Sequence, residues 1–330
     1  MRCLSLLDAV EGLSCLPLRF TSSLIDARTT AAGRPSDTPT RKLFHCARPP
    51  HQPRARVSSP EAVGLETVPG PRTFFGILML PPELHPSFLR PIAHRGLHGK
   101  GLVENSGPAF EAAIVGGYGI ECDLQALADG TPMVFHDETL ERLVDATGRL
   151  DALTPKALAR LRYRGTDTPI LSFAGLLELV GGAVPLLVEI KSAWGPPAAG
   201  FLEQIASLAT AYRGPVALMS FDPAVMAAMK RLAPGVARGL VSGSYRAVNG
   251  DNWWADRLTP ERAEELRELA DFEWIGASFA AYECGALPTA RTRELRARGV
   301  PVLTWTVRTD VDRARAAAYA DAMIFEGFEA

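Results

Sequence analysis

From Pro91 to the C-terminus, short apolar runs alternate with amphipathic stretches, and this alternation constrains the fold more than any other feature. Strand patterns fall at 91–95, 118–125, 132–136, 185–190, 216–221, 236–242, 274–279, 301–307 and 322–326. Helical patterns fall at 107–116, 154–162, 173–180, 200–211, 223–232, 259–270, 289–298 and 310–319. Such alternation predicts a parallel sheet with crossover helices. PLLVEIK and VALMSF are near-continuous apolar runs, as expected of strands buried on both faces. Residues 91–330 number 240, close to the ~250 of an eight-stranded barrel. The expected fold class is therefore α/β, a TIM (β/α)8 barrel.

Nine strand patterns are one too many for eight. The pair 118–125 and 132–136 accounts for the excess, because the linker holding Asp129-Gly130 is too short for a helical crossover. Asp-Gly favours a two-residue hairpin turn. With that turn, opposed residues sum to 259, which sets Asp123 opposite His136. Glu121, two before Asp123, shares its face. Two carboxylates and an imidazole are thus expected to converge.

The first 78 residues have a different texture. They are rich in Arg, Pro, Ser and Thr and show no sustained period of two or of 3.6. Such a segment buries too little apolar surface to offset its ordering entropy. We expect residues 1–78 to be a disordered N-terminal extension or a mis-assigned start, and 79–330 to be the barrel, with Met79 as the alternative start. Asp8 and Glu11 interrupt the apolar N-terminal stretch, which argues against a secretory signal. No apolar run is long enough to cross a bilayer. The five cysteines are scattered with no C-x-x-C pair, which argues against a thiolate zinc site and fits a reducing, cytoplasmic compartment. With a net charge of −2, no general attraction to nucleic acid is expected.

Chemistry concentrates between Pro91 and Asp137, in IAHRG, EN, GIECDLQ and VFHD, with VEIK further on. Glu121, Asp123 and Glu189 offer hard oxygen ligands. Without cysteine or clustered histidine, such a set suits Mg²⁺ or Ca²⁺. The alternative is that Glu121 and Asp123 are surface acids on an alternating strand. Glu189 fits that alternative poorly, because a carboxylate in an apolar strand is costly unless paired or metal-bound. His94 and His136 each end a strand and can serve as general base and acid; the alternative is two core histidines satisfied by backbone. Arg95 and Lys191 can hold phosphate oxygens or form structural ion pairs with the acids. Trp305, in VLTWTV, reads as core by its spacing. Asn105 is expected to be structural, with Ser106 capping the following helix. Trp253-Trp254 is expected to lie in a loop packed down by its own indoles.

Taken together, IAHRG, EN, E-C-D, VFHD, VEIK, MSF and TWTV, in this order and spacing, resemble the glycerophosphodiester phosphodiesterase family. The resemblance runs from about Pro91 to the C-terminus. It implies a TIM barrel related to phosphatidylinositol-specific phospholipases C. It also implies metal-dependent hydrolysis, with Ca²⁺ or Mg²⁺, of small glycerophosphodiesters to glycerol 3-phosphate and an alcohol. On that resemblance His94 and His136 match the catalytic histidines, and Glu121, Asp123 and Glu189 the metal ligands. Arg95 and Lys191 match the phosphate-side cations, and Trp305 the site-lining aromatic. One departure is the tail, which reads IFEGFEA where members often carry T-D-x-P. The segment after Leu140 and Arg142, up to about Ser172, is short, so no long lid is expected. Two other readings remain: phospholipase D-like cleavage of lysophospholipids on the same barrel, and a non-catalytic phosphodiester-binding scaffold.

Overall fold

The computed structural model describes residues 80–246 and 254–330. The expected extension and Trp253 lie outside the described residues.

The chain lays down β1 (Ile92–Ala93), α1 (Gly107–Val115), β2 (Gly119–Ala126), β3 (Pro132–Val134), α2 (Pro155–Leu158) and α3 (Phe173–Val180). It continues through β4 (Leu186–Ile190), α4 (Phe201–Ala211), β5 (Val216–Ser220), α5 (Pro223–Leu232), β6 (Ala237–Ser242) and α6 (Pro260–Arg267). It ends with β7 (Phe279–Glu283), α7 (Ala290–Ala297), β8 (Val302–Val307), α8 (Asp310–Tyr319) and β9 (Ala322–Phe325). Eight of the strands run parallel, and β1 pairs with both β2 and β9, which closes the sheet into the expected (β/α)8 barrel. The ninth, β3, pairs antiparallel with β2. Helix starts are set locally: Ser106, Ser172, Asp222, Thr259, Thr289 and Thr309 each accept a backbone N–H of the first turn. Among the described residues, no helix is long and apolar enough to cross a membrane.

Alternation along the strands sorts side chains between two cores. Ile120, Cys122, Leu124, Leu186, Val188 and Ile190 point outward and pack under the helices. Ile92, Leu187, Met219, Val241, Phe279 and Leu303 fill the barrel, with Leu84 and Phe88 packed into the same cluster. Glu121 and Asp123 keep the inward parity of β2, as Glu189 does beside Leu187 on β4. In a barrel of this kind the C-terminal strand ends form the reactive face; Asp123 and Glu189 sit toward those ends, with Glu121 one inward position deeper on β2.

Three local expectations are corrected. The β2–β3 register has sums of 258 rather than 259: Leu124 pairs with Val134 and Gln125 with Met133. Leu127 and Thr131 close the hairpin, leaving a three-residue loop whose last residue, Gly130, has φ +81°. Three-residue hairpin loops place their left-handed residue there, whereas the sequence reading took the two-residue turn. The helix expected over 154–162 stops at Leu158. Tyr163 is buried, stacks on Phe135 and donates its hydroxyl to the Asn105 carbonyl, so its burial draws the chain into bridges with Val144 and from Arg162 to Pro169. The strand expected at 274–279 lies at Phe279–Glu283. Gly276, at φ +61°, breaks the extended run beforehand, and Phe272, Ile275 and Ala277 pack outside the barrel.

Gly130 carries a prediction. A Cβ there would fall 2.2 Å from the Ala199 carbonyl oxygen, on a backbone that side chains rarely adopt. The conformation alone costs a non-glycine residue about 1–3 kcal/mol, and the clash adds to it. Gly130→Ala should lower the thermal midpoint by several degrees in calorimetry. An unchanged midpoint would mean the loop relaxes freely.

Candidate active site

His94 follows β1, held in place by its backbone N–H to the Phe325 carbonyl at 2.9 Å. Its Nδ1 lies 2.5 Å from Glu326 Oε2, and its Nε2 lies 4.0 Å from Glu121 Oε2. A carboxylate only accepts, so Nδ1 carries the proton and Nε2 presents a lone pair toward the acids. Burial pushes the imidazole pKa below its ordinary value, although Glu326 pulls the other way. His94 is therefore poised as a neutral base.

His136 stands just beyond β3, since the strand ends at Val134. It is not the cross-strand partner of Asp123; Phe135 takes that place, donating its N–H to the Asp123 carbonyl at 3.0 Å. The chain leaves the sheet and still brings His136 to the same cavity. Its Nδ1 lies 2.7 Å from Asp137 Oδ1, and Gln125 Nε2 donates to its carbonyl at 3.0 Å. Its side chain is 32% exposed against 12% for His94, so it sits nearer the mouth.

The three carboxylates converge as a group. Asp123 pairs with Glu189 in the β2–β4 register, and one oxygen each from Glu121, Asp123 and Glu189 lies within 4.8 Å of the others. All three side chains are buried. Burial first, then Asp123 and Glu189, pushes the Glu121 carboxyl well above its ordinary pKa. Burial would raise Asp123 too, but Lys191, His136 and Arg95 outweigh it and hold that group well below the carboxylate range. Lys191 Nζ stands between two of the acids, 2.8 Å from Asp123 Oδ1 and 2.6 Å from Glu189 Oε1. Hard oxygens closely grouped, deep and already balanced by a cation are a donor set that fits Mg²⁺ or Ca²⁺.

Arg95, at φ +54°, gives its backbone N–H to Glu121 Oε2 at 2.9 Å and its Nη1 to Glu104 Oε1 at 2.7 Å. Its buried Nε makes no hydrogen bond and lies 3.4 Å from Asp123 Oδ2. Arg95 and Lys191 are each ion-paired with the acids, as one reading of them expected, and each also lines the cavity. Trp305 also lines it, with its indole N–H donated to the Ala281 carbonyl at 3.1 Å and its ring edge-on to Phe221. Trp305 is thus packed from one side and open from the other. Trp254 packs edge-on to Tyr245 in a satellite cluster.

Sequence reasoning missed the supports. Asn105, fully buried at φ +55°, donates Nδ2 to Asp123 Oδ2 at 2.8 Å and accepts the Asp123 N–H. It is structural as expected, but what it orders is the carboxylate group as well as a helix start. Glu104 accepts from both Arg95 and Arg142, and Arg142 also grips Asp137 at 2.6 Å. One chain of charges thus runs from His136 through Asp137, Arg142 and Glu104 to Arg95. Asp137 adjoins His136 in sequence and was open to detection. Glu326 lies 232 residues from His94, in the tail that departs from T-D-x-P, and only the closed barrel brings the two together.

These carboxylates carry a second prediction. Burial would raise Glu326, Glu104 and Asp137, but hydrogen bonds chiefly from His94, from Arg142 and Arg95, and from His136 and Arg142 leave each lowered. A depressed carboxyl contributes stability above its unfolded pKa of ~4 and loses it as pH falls. The urea midpoint should therefore fall between pH 5 and pH 2 on the order of the unfolded pKa and below it. A flat profile there would contradict the network.

His94, Arg95, Glu121, His136, Asp137, Glu189, Lys191 and Trp305 open onto one cavity of about 870 Å³, with Asp123 behind them at 1% exposure. The sequence profile of the glycerophosphoryl diester phosphodiesterase family matches residues 94–327, from His94 to just past Glu326. Glycerophosphodiester phosphodiesterase 1 of Bos taurus is 26% identical over 241 residues, which covers 66% of this chain and 71% of that protein. An Oleispira antarctica phosphodiesterase, solved in complex with the product sn-glycerol-3-phosphate, superposes at a TM-score of 0.57. It is 20% identical and aligns over 72% of this chain and 92% of its own. The glycerophosphodiester phosphodiesterase of Thermotoga maritima superposes at 0.55, with 21% identity over 71% of this chain and 93% of its own. The structural likenesses carry the barrel, and the profile carries the family. The chain belongs to the glycerophosphoryl diester phosphodiesterase family.

Proposed function

We propose that this enzyme hydrolyses glycerophosphodiesters to glycerol 3-phosphate and an alcohol, as a step in glycerophospholipid catabolism. Residues 79–330 would suffice for it. The observation that carries the reading is the placement of two imidazoles, each with a carboxylate on Nδ1, beside a buried carboxylate triad in one cavity.

Glu121, Asp123 and Glu189 would hold the divalent cation, Mg²⁺ or Ca²⁺ by the hardness of the oxygens. When bound, it supplies positive charge to the phosphodiester oxygens. Arg95 and Lys191 add guanidinium and ammonium charge on the same side, where negative charge grows in the transition state. His94 takes a proton at Nε2 from the attacking oxygen, either water directly or the glycerol 2-hydroxyl with water opening the cyclic ester afterwards, and its Nδ1–H···Glu326 bond stabilises the imidazolium that forms. His136, nearer the mouth, gives a proton to the departing alkoxide, with Asp137 keeping it oriented. Trp305 offers an apolar face to the glycerol or alcohol carbons.

A second reading, phospholipase D-like cleavage of lysophospholipids, gains support from one feature. Trp194, Pro196, Pro197 and Phe221 line the cavity beside the charged residues as an apolar wall. Two assays on purified protein separate the readings. Glycerophosphocholine should yield choline with glycerol 3-phosphate. Choline with lysophosphatidate from lysophosphatidylcholine, and no turnover of glycerophosphocholine, would favour the second. A scaffold predicts product from neither.

A further inference from the structure

A second imidazole reaches the carboxylate that orients His94. His98 Nε2 lies 3.4 Å from the same Glu326 Oε2 that His94 Nδ1 meets at 2.5 Å. The ligand atoms of His94, His98 and Glu326 all lie within 4.8 Å of one another. A single acceptor oxygen needs one donor to orient a base, and the contact from His98 is too long to add much as a hydrogen bond. Arg308 Nε donates to the other oxygen, Glu326 Oε1, at 2.6 Å. That leaves Oε2 and two ring nitrogens facing one another, with the carboxylate fixed from behind.

The donor set differs in kind from the triad. Two imidazoles and one carboxylate are the ligands of Zn²⁺-class cations, which take three protein ligands and leave a fourth position open. Zn–N bonds of ~2.0–2.1 Å put neighbouring ligand atoms roughly 3.3 Å apart in a tetrahedron. The His98–Glu326 spacing already matches. The His94–Glu326 contact must widen by somewhat under an ångström, and Glu326, beyond the end of β9 and 19% exposed, has room to do so. The hydrogen bond from Arg308 is the outer support that ligating carboxylates commonly have.

We propose that His94, His98 and Glu326 form a binding site for a Zn²⁺-class cation, on the face of the His94 ring opposite the carboxylate triad, and that its occupancy switches the enzyme off. A cation on Nδ1 needs the lone pair there, so the ring proton moves from Nδ1 to Nε2. The neutral ring then has an N–H where it must accept a proton, and it cannot serve as base. The cation binds at a catalytic residue without filling the triad.

The inhibitory half rests on the proposed hydrolysis; the binding half does not. The test uses full-length protein saturated with Mg²⁺ and titrated with Zn²⁺ alone, by calorimetry and by the visible spectrum of Co²⁺ in its place. Expected is one Zn²⁺ site per chain with a four-coordinate Co²⁺ spectrum. His98→Gln should weaken it by more than the roughly 10–100-fold that loss of an outer partner costs. In assays, Zn²⁺ should inhibit the wild type, while His98→Gln keeps its Mg²⁺-supported turnover and resists Zn²⁺. If His98→Gln binds or is inhibited by Zn²⁺ as the wild type is, the cation sits elsewhere and the proposal fails. If neither protein turns over a diester but the His98-dependent site is present, the site stands and the hydrolytic reading fails.

Discussion

Replacing His94 or His136 with glutamine should lower kcat by roughly 10²–10⁴-fold each, with KM little changed, because acid–base help is felt in the transition state. Both rings are oriented through Nδ1, His94 by Glu326 and His136 by Asp137, so each has one nitrogen left for the reaction. The double variant should lose far less than the product of the two, since the pair acts as a unit. Leaving-group dependence separates the roles. A nitrophenyl ester departs without a proton, so His136→Gln should matter little for it, while His94→Gln should be slow on every substrate. Near-wild-type kcat in either single variant would defeat the mechanism. Equal sensitivity of both to leaving-group pKa would defeat the division of labour.

Lys191→Met should have the largest effect on stability. Its ammonium is the nearest positive charge to Asp123 and Glu189, and burial would lower its pKa were it not for those two acids, which raise it. Removing one partner from a buried ion pair costs about 3–5 kcal/mol, because the other charge is left uncompensated. In chelator at neutral pH the variant should melt well below the wild type. Excess Mg²⁺ or Ca²⁺ should restore more stability to the variant than it adds to the wild type, since the cation then supplies the missing charge. Equal melting of both proteins in chelator would mean that Lys191 is not the counter-charge of the triad.

Much of this was legible in the sequence because it depends on local pattern. Apolar runs and caps mark the barrel strands and most helices. The even spacing of Glu121 and Asp123, and of Glu189 and Lys191, sets each pair on one face. Asp123, Glu189 and Lys191 do converge, and His94 and His136 do open onto their cavity. What was not legible depends on closure and on loops. The pairing of Glu326 with His94 exists only because β9 returns to β1. The hairpin register turned on one loop residue, which composition does not count. Helix 154–162 was cut short by the burial of Tyr163 beneath Asn105, a tertiary demand stronger than local propensity. The β7 shift has the same character: FAAYE is poor in the branched residues that mark strands, and its position is set by its neighbours in the sheet.

Glycerol 3-phosphate release from glycerophosphocholine, measured in chelator and again after adding Mg²⁺ or Ca²⁺, tests the central claim most directly. The carboxylate triad predicts no turnover in chelator and recovery with either cation, with no recovery in Glu189→Gln. Full turnover in excess chelator would contradict it.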